Sequence, residues 1–185
     1  MRIVLNAGHG AKSDGSYDPG AVGPVLTIDG KKVQVKEAWQ NKEVANKVKV
    51  ILEKSGHTVL LIQDGDLVDI IKAANFFDAD FFVSIHCNAA ADPSAHGVET
   101  YAYCKGGKGE KLAQSIQSEL VKATGLTDRG VKYANFFVLR KTDAPAVLVE
   151  MAFVTNPTEE RLMMSGEGDT MFANAIAQGI LKGMK

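Results

Sequence analysis

Two histidines stand where short apolar runs give out, each among small or polar residues. RIVLNAGHG reaches His9, and FFVSIHCNA reaches His86. Imidazole nitrogens suit zinc, and a hydrolytic zinc site needs three protein ligands and a fourth position open to water. A third ligand is on offer in KEAWQNKEVANKVKVILEKSG. The apolar stripe of this segment passes through Val44, Val48 and Ile51 or Leu52. Glu37 falls about 20° from Val44 on a helical wheel at ~100° per residue. A carboxylate at the head of a core-facing stripe is costly unless it is paired or holds a metal. The alternative is a first-turn acid that complements the helix dipole. Glu43 lies about 100° off the stripe and is expected in solvent.

Glu150 closes the strongly apolar run in PAVLVEMAF. An acid there is poorly hydrated and holds its proton tightly, as a general base at neutral pH must. Its alternative role is a strand-end salt bridge. Cys87 adjoins His86 and could in principle be a nucleophile or a ligand. Side chains alternate across a strand, so it is expected to face away and be buried. His57 in SGHTV and His96 in SAHGVE read as ordinary loop histidines. Asp14, Asp18 and Glu99 could reach a metal, but Glu99 is expected to support the site rather than bind the ion. The chain contains neither HExxH nor a complete GxxxxGK[ST] phosphate loop. The residues alone favour a metal hydrolase without fixing its substrate.

Such residues need a frame that brings distant positions together. Strand-like runs fall at 2–7, 58–62, 80–86, 97–103, 134–140 and 146–152, and helical periodicity at 37–55, 67–77, 108–123, 157–164 and 169–183. This alternation predicts a three-layer α/β/α sandwich around a mostly parallel, twisted sheet of about six strands. In such sheets ligands collect at the carboxyl ends of the strands, where His9, His86 and Glu150 fall. The irregular stretch 10–35 carries DPGAVG and a small hairpin predicted around IDGKKVQV. Loops of that length in a compact domain are usually functional.

The 185 residues suffice for one domain with a proper core. Charged residues make up 23% and the net charge is −1, so no attraction to nucleic acid is expected. No apolar run approaches the ~20 residues of a membrane span, so no membrane insertion is expected. A basic segment followed by an apolar leader is not seen at the start. The two cysteines, Cys87 and Cys104, lack CxxC spacing, which argues against a disulfide framework and a zinc ribbon. A reducing compartment is the mild expectation.

In order along the chain stand NAGHG, DPGAVG, KEAWQNKEVA, SIHCNA, GVETYAY, DRGVKYANFFVLRKTDAPAVLVEMAFVTNPTEERLM and AIAQGILKGM. Together they resemble the Amidase_3 type of zinc-dependent N-acetylmuramoyl-L-alanine amidases, the endolysins and autolysins that cut bacterial cell walls. The resemblance covers nearly all of residues 1–185, as one catalytic domain. It implies zinc (Zn2+) held by His9, Glu37 and His86, with Glu150 as the catalytic acid/base. It further implies that Arg129 and Asn135 touch the substrate, the muropeptide stem of peptidoglycan. Three departures stand out. DIIKAAN lacks the arginine that the family commonly has before AN, Cys87 replaces a frequent alanine, and the segment from His9 to Glu37 is longer than in many members. The enzyme is expected to act on the wall as a monomer after synthesis in the cytoplasm. A zinc peptidase on another peptide, a catalytically silent wall-binding module and a cysteine hydrolase using Cys87 are the competing readings.

Overall fold

The computed structural model describes residues 1–184, with the backbone alone at Ile28. The chain opens with β1 (Arg2–Ala7), two small hairpins formed by β2 (Gly10–Ala11), β3 (Tyr17–Asp18), β4 (Leu26–Ile28) and β5 (Lys31–Val33), and then α1 (Glu37–Lys54). β6 (Thr58–Ile62), α2 (Leu67–Phe76), β7 (Phe81–Asn88), β8 (Val98–Ala102) and α3 (Lys108–Thr124) follow. The last part holds β9 (Asp128–Tyr133), α4 (Phe137–Lys141), β10 (Ala146–Phe153), α5 (Pro157–Met163) and α6 (Gly166–Gly183).

Six strands form one sheet in the order β6-β1-β7-β10-β8-β9. The first four run parallel, while β8 is antiparallel to β10 and β9 is parallel to β8. The carboxyl ends of β1, β7 and β10 therefore meet the amino ends of β8 and β9 along one margin.

Alternation divides the side chains between two faces. Ile3, Leu5, Val83, Ile85, Val147 and Val149 pack under α1, α3 and α6 in a fully buried layer that includes Val48, Ile116, Phe172 and Ile176. The opposite face sends Val4, Phe82 and Leu148 against Ile70, Ile71 and Ala74 of α2 and Val138 and Leu139 of α4. Sheet faces covered on both sides explain why β1, β7 and β10 read as near-continuous apolar runs. Among the described residues, no helix is long and apolar enough to cross a membrane.

The predicted three-layer architecture is found, with two local differences. The run expected as a strand at 134–140 is helix α4 in its second half, and the edge strand lies just before it, at Asp128–Tyr133. A short apolar run does not reveal its period. Val138 and Leu139 are the buried residues of α4 and pack on the sheet, whereas DRGVKY, with only one neighbouring strand, carries edge-type charges that hide the strand signal. Helix α6 starts at Gly166 rather than 169, because the Ser165 side chain accepts from the Gly168 N–H and caps a turn that glycines obscure in sequence. The hairpin around IDGKKVQV forms as β4–β5, with Asp29 and Gly30 both at positive φ, as a tight Asp-Gly turn demands.

Candidate metal centre and hydrolytic site

His9 leaves β1 with φ 64°, in the left-handed region that a residue with a side chain seldom adopts. That twist turns its imidazole back across the strand ends. Strained backbone of this kind persists only where the surroundings enforce it, and it concentrates at working sites. Gly8 is required by the same crowding, since a Cβ there would stand 2.1 Å from Cε1 of His86. The two imidazoles meet edge to face, with centroids 5.2 Å apart.

The β2–β3 hairpin supplies a carboxylate behind the first ring. Asp18 Oδ2 lies 3.1 Å from Nδ1 of His9, which leaves Nε2 facing the site. A carboxylate on the far nitrogen fixes the tautomer and orientation of a ligating histidine. Gly20, at φ 66°, closes the same loop, and a Cβ there would meet Glu37 Oε2 at 2.7 Å.

Glu37 occupies the first turn of α1 and is 4% exposed. Its Oε2 accepts the Ala21 N–H at 2.8 Å and lies 3.3 Å from His9 Nε2. Its Oε1 accepts the Cys87 N–H at 3.1 Å and lies 3.0 Å from His86 Nδ1. Burial alone would raise this carboxyl, but His86 and His9 outweigh it and hold Glu37 well below the usual carboxylate range. The reciprocal effect lifts His9 to about 9, through its hydrogen bond to Glu37, against the opposing cost of burial.

The donor atoms of His9, Glu37 and His86 all lie within 4.8 Å of one another. Ligands about 2.0–2.1 Å from a tetrahedral ion are roughly 3.3 Å apart, and the His9–Glu37 and His86–Glu37 separations fall near that value. Two imidazoles and a carboxylate also make a chemically suitable donor set for a borderline cation. The cluster can thus hold a metal ion, whose binding would compete with protons for these donor atoms.

Glu150 stands in register with His86 on the neighbouring strand and on the same sheet face. Its Oε2 is buried and has no hydrogen-bond partner. Burial, followed by repulsion from Glu37 and Glu99, raises its carboxyl to about 8, with His9 pulling the other way. His9, His86 and Glu150 border a cavity of about 800 Å³ that is also lined by the apolar side chains of Leu67, Val68, Phe136 and Val138. A buried, unpartnered carboxyl oxygen and two of the three potential ligands therefore share one opening, with Glu37 buried behind them.

The other candidate residues are placed as follows. Glu99 is not among the clustered donors; it is buried one strand beyond Glu150 and accepts from Asn88, Tyr101, Arg129 and Lys132. Arg129 is thus brought to the margin of the site. Asn135 sits just before α4 and accepts from Arg140 Nη1 at 2.9 Å. Cys87 faces the large core, donating to Asn41 Oδ1, and burial pushes its thiol up. His96 bonds the Ser94 carbonyl, His57 lies near the terminal amine, and Asp14 caps Ser16. Glu43 is exposed.

Several supporting residues escaped the sequence reading. Lys132 was hidden in the unrecognised edge strand, and the pairing of Asp18 with His9 depends on a two-residue hairpin. Glu159 and Glu160 on α5 were equally invisible as site supports. Glu159 accepts from Gly97 and Phe153 N–H groups, and Glu160 from that of Val35, tying α5 to the end of β10 and to the segments that lead into β8 and α1. The TNPTEE segment could have given the helix start, since Asn156 caps it and Pro157 opens it.

Residues 3–182 match the family described as N-acetylmuramoyl-L-alanine amidase, Amidase_3. The chain is 32% identical over 99% of its length to a probable cell wall amidase, LytH, of Staphylococcus epidermidis, and 35% identical over 98% to the endolysin of Bacillus phage SPP1. It covers 57% and 64% of those proteins' lengths. Among solved structures, the catalytic domain of CwlV, an N-acetylmuramoyl-L-alanine amidase from Bacillus (Paenibacillus) polymyxa var. colistinus, superposes with a TM-score of 0.84 at 34% identity. That likeness covers 99% of this chain and 97% of the other. The strand-end site, its donor set and these likenesses converge, and the chain belongs to the Amidase_3 family of N-acetylmuramoyl-L-alanine amidases.

Proposed function

We propose that this chain is a zinc-dependent catalytic domain that hydrolyses the amide between the lactyl group of N-acetylmuramic acid and L-alanine in peptidoglycan. The observation that carries this reading is the unpartnered, buried Oε2 of Glu150 beside the His9–Glu37–His86 donor cluster, at the head of one groove. The likeness to a cell wall amidase and a phage endolysin supports the choice of bond and of the cell wall as its place of action.

His9, Glu37 and His86 would hold the ion. Zinc, when bound, supplies a Lewis acid that polarises the scissile carbonyl and makes water acidic enough to attack near neutral pH. Glu150 takes a proton at Oε2 from the attacking water and hands it to the departing alanine nitrogen, as a carboxyl with a raised proton affinity can. Asp18 keeps His9 oriented with Nε2 toward the site. The apolar side chains that line the cavity limit water around the reacting amide. Arg129 and Asn135 are the proposed contacts to the muropeptide.

Digestion of purified cell walls by the zinc-loaded protein should release new L-alanine amino termini, and a chelator should stop it. New amino termini of another residue, or new reducing sugar ends, would overturn this reading. His86→Ala should lose bound zinc, and full occupancy in metal analysis would remove His86 from the ligand set.

A further inference from the structure

Beyond Glu150 the sheet continues into β8 and β9, where its catalytic face carries charge instead of apolar packing. Glu99 and Glu150 are direct cross-strand partners. The Glu99 side chain is 4% exposed, yet Arg129 Nε and Lys132 Nζ both reach its Oε2. Asn88 and the Tyr101 hydroxyl donate to its Oε1. The two cations lie on the outside of this cluster, with about a third of each side chain exposed.

A single buried carboxylate would be satisfied by fewer partners. Two cations share one anion, which leaves part of each cation's hydrogen-bonding capacity unused at the surface. Other acids stand nearby: Glu150 faces Glu99 across the strands, and Glu159 lies close enough to Arg129 to feel its charge. Asp128 accepts from Gln117 and the Gly130 N–H, and Glu110 accepts from Tyr133 and the Gly106 N–H. Arg129 is held flat by three contacts: Glu99, the His96 carbonyl at 3.2 Å, and the Phe153 ring at 4.9 Å. Nη2 and part of Nη1 of Arg129 remain available, as do two N–H groups of Lys132. A fixed guanidinium beside an ammonium recognises carboxylate with little ordering cost.

We propose that Arg129 and Lys132, seated on Glu99, form a subsite for a carboxylate of the peptide that follows L-alanine in the substrate. This rests on the amidase reading above and names a specificity element of the same groove. Distance favours it. Strands stand about 4.8 Å apart, so β9 lies roughly 10 Å from β10. An extended peptide advances ~3.3–3.6 Å per residue. Both cations, however, reach inward from β9 to Glu99 on β8, about one strand spacing from Glu150, so a peptide whose first amide is at Glu150 brings an acidic group one or two residues later to them. Glu99 acts here as a positioning residue, since it is covered by the groups it holds.

The test uses the zinc-loaded protein and two synthetic substrates, N-acetylmuramoyl-L-alanyl-D-isoglutamate and its isoglutamine amide. The free carboxylate should be preferred by ~10-fold in kcat/KM, the size of one charge-assisted hydrogen bond, and mainly through KM. Lys132→Met should draw that ratio toward one, whereas Lys132→Arg should restore it. Lys132 is the better probe because Glu99 keeps Arg129, Tyr101 and Asn88 without it. Equal cleavage of both substrates by the wild type, or equal losses on both in Lys132→Met, would overturn the subsite and leave the amidase reading intact. Cleavage of neither would overturn both.

Discussion

The two faces of the central sheet are built to opposite standards. Under α1, α3 and α6 the layer is dry and continuous, and residues such as Phe172, Ile176 and Ile116 are wholly buried. The opposite face is roofed by the short helices α2 and α4. Along its strand-end margin this second face carries His86, Glu150 and Glu99 in place of aliphatic residues. Close packing punishes any loss of volume, whereas poorly solvated polar groups with spare valence are what a reaction uses. On the function proposed above, stability and chemistry are segregated by face, and mutations should separate them.

The largest effect is expected on the reactive face. Glu150→Gln preserves volume but removes the proton acceptor, so turnover should fall by at least ~10²-fold while zinc content stays unchanged. Wall hydrolysis and metal analysis on the same preparation measure both. Near-wild-type turnover would take Glu150 out of the reaction and end the division of labour between faces.

On the packed face the effect should appear in stability. Phe172→Ala empties a fully buried site in α6 and should cost about 3–5 kcal/mol. At ~2–4 °C per kcal/mol for a domain of this size, that is a fall of roughly 6–20 °C in melting temperature. Below the transition, activity per folded molecule should persist. A loss of activity without a change in melting temperature would contradict the segregation.

How much of this could be read from the chain follows the same division. The dry face announces itself, because runs such as RIVL and AVLV have to be buried, while helix phase put Glu37 near the core-facing stripe and left a first-turn acid as the alternative. His9, His86 and Glu150 were visible as polar residues ending apolar runs, a local signal. The margin was harder. Lys132 and Arg129 belong to an edge strand whose polar residues resemble a loop, and α4 looked like a strand because five residues are too few to display a helical period. The links from Asp18 to His9 and from Lys132 to Glu99 depend on tertiary placement, which no spacing rule encodes.

A smaller effect concerns pH. In the metal-free protein, folding raises the Glu150 carboxyl from 4.5 to about 8, chiefly by burial. Between these values the folded chain holds a proton that the unfolded chain has released. Its contribution to stability therefore falls as pH rises from about 4.5 to about 8 and is constant above. Glu150→Gln has no such titration, while His9 and Glu37 are present in both proteins and largely cancel. With chelator present, the variant should melt higher than the wild type at pH 8.5, by at least ~2–4 °C, equivalent to about 1 kcal/mol. The gap should close toward pH 4.5. A constant gap, or a less stable variant at pH 8.5, would mean that Glu150 is hydrated and that its face is no less solvated than an ordinary surface.

The smallest effect belongs to the apolar wall of the groove. Leu67 begins α2, is 52% exposed and lines the cavity that His9, His86 and Glu150 border. Because it fills no enclosed space, Leu67→Ala should change stability by no more than ~0.5 kcal/mol. Its exposed methyl groups become useful only when substrate covers them. The expected signature is a few-fold rise in KM with kcat nearly unchanged, as when binding is lost equally from ground and transition states. Matched melting curves and wall-hydrolysis kinetics measure the two halves of this prediction. A fall of several degrees in melting temperature would show that this wall is part of the core after all, and the reactive face would then be less distinct from the packed one than its exposure implies.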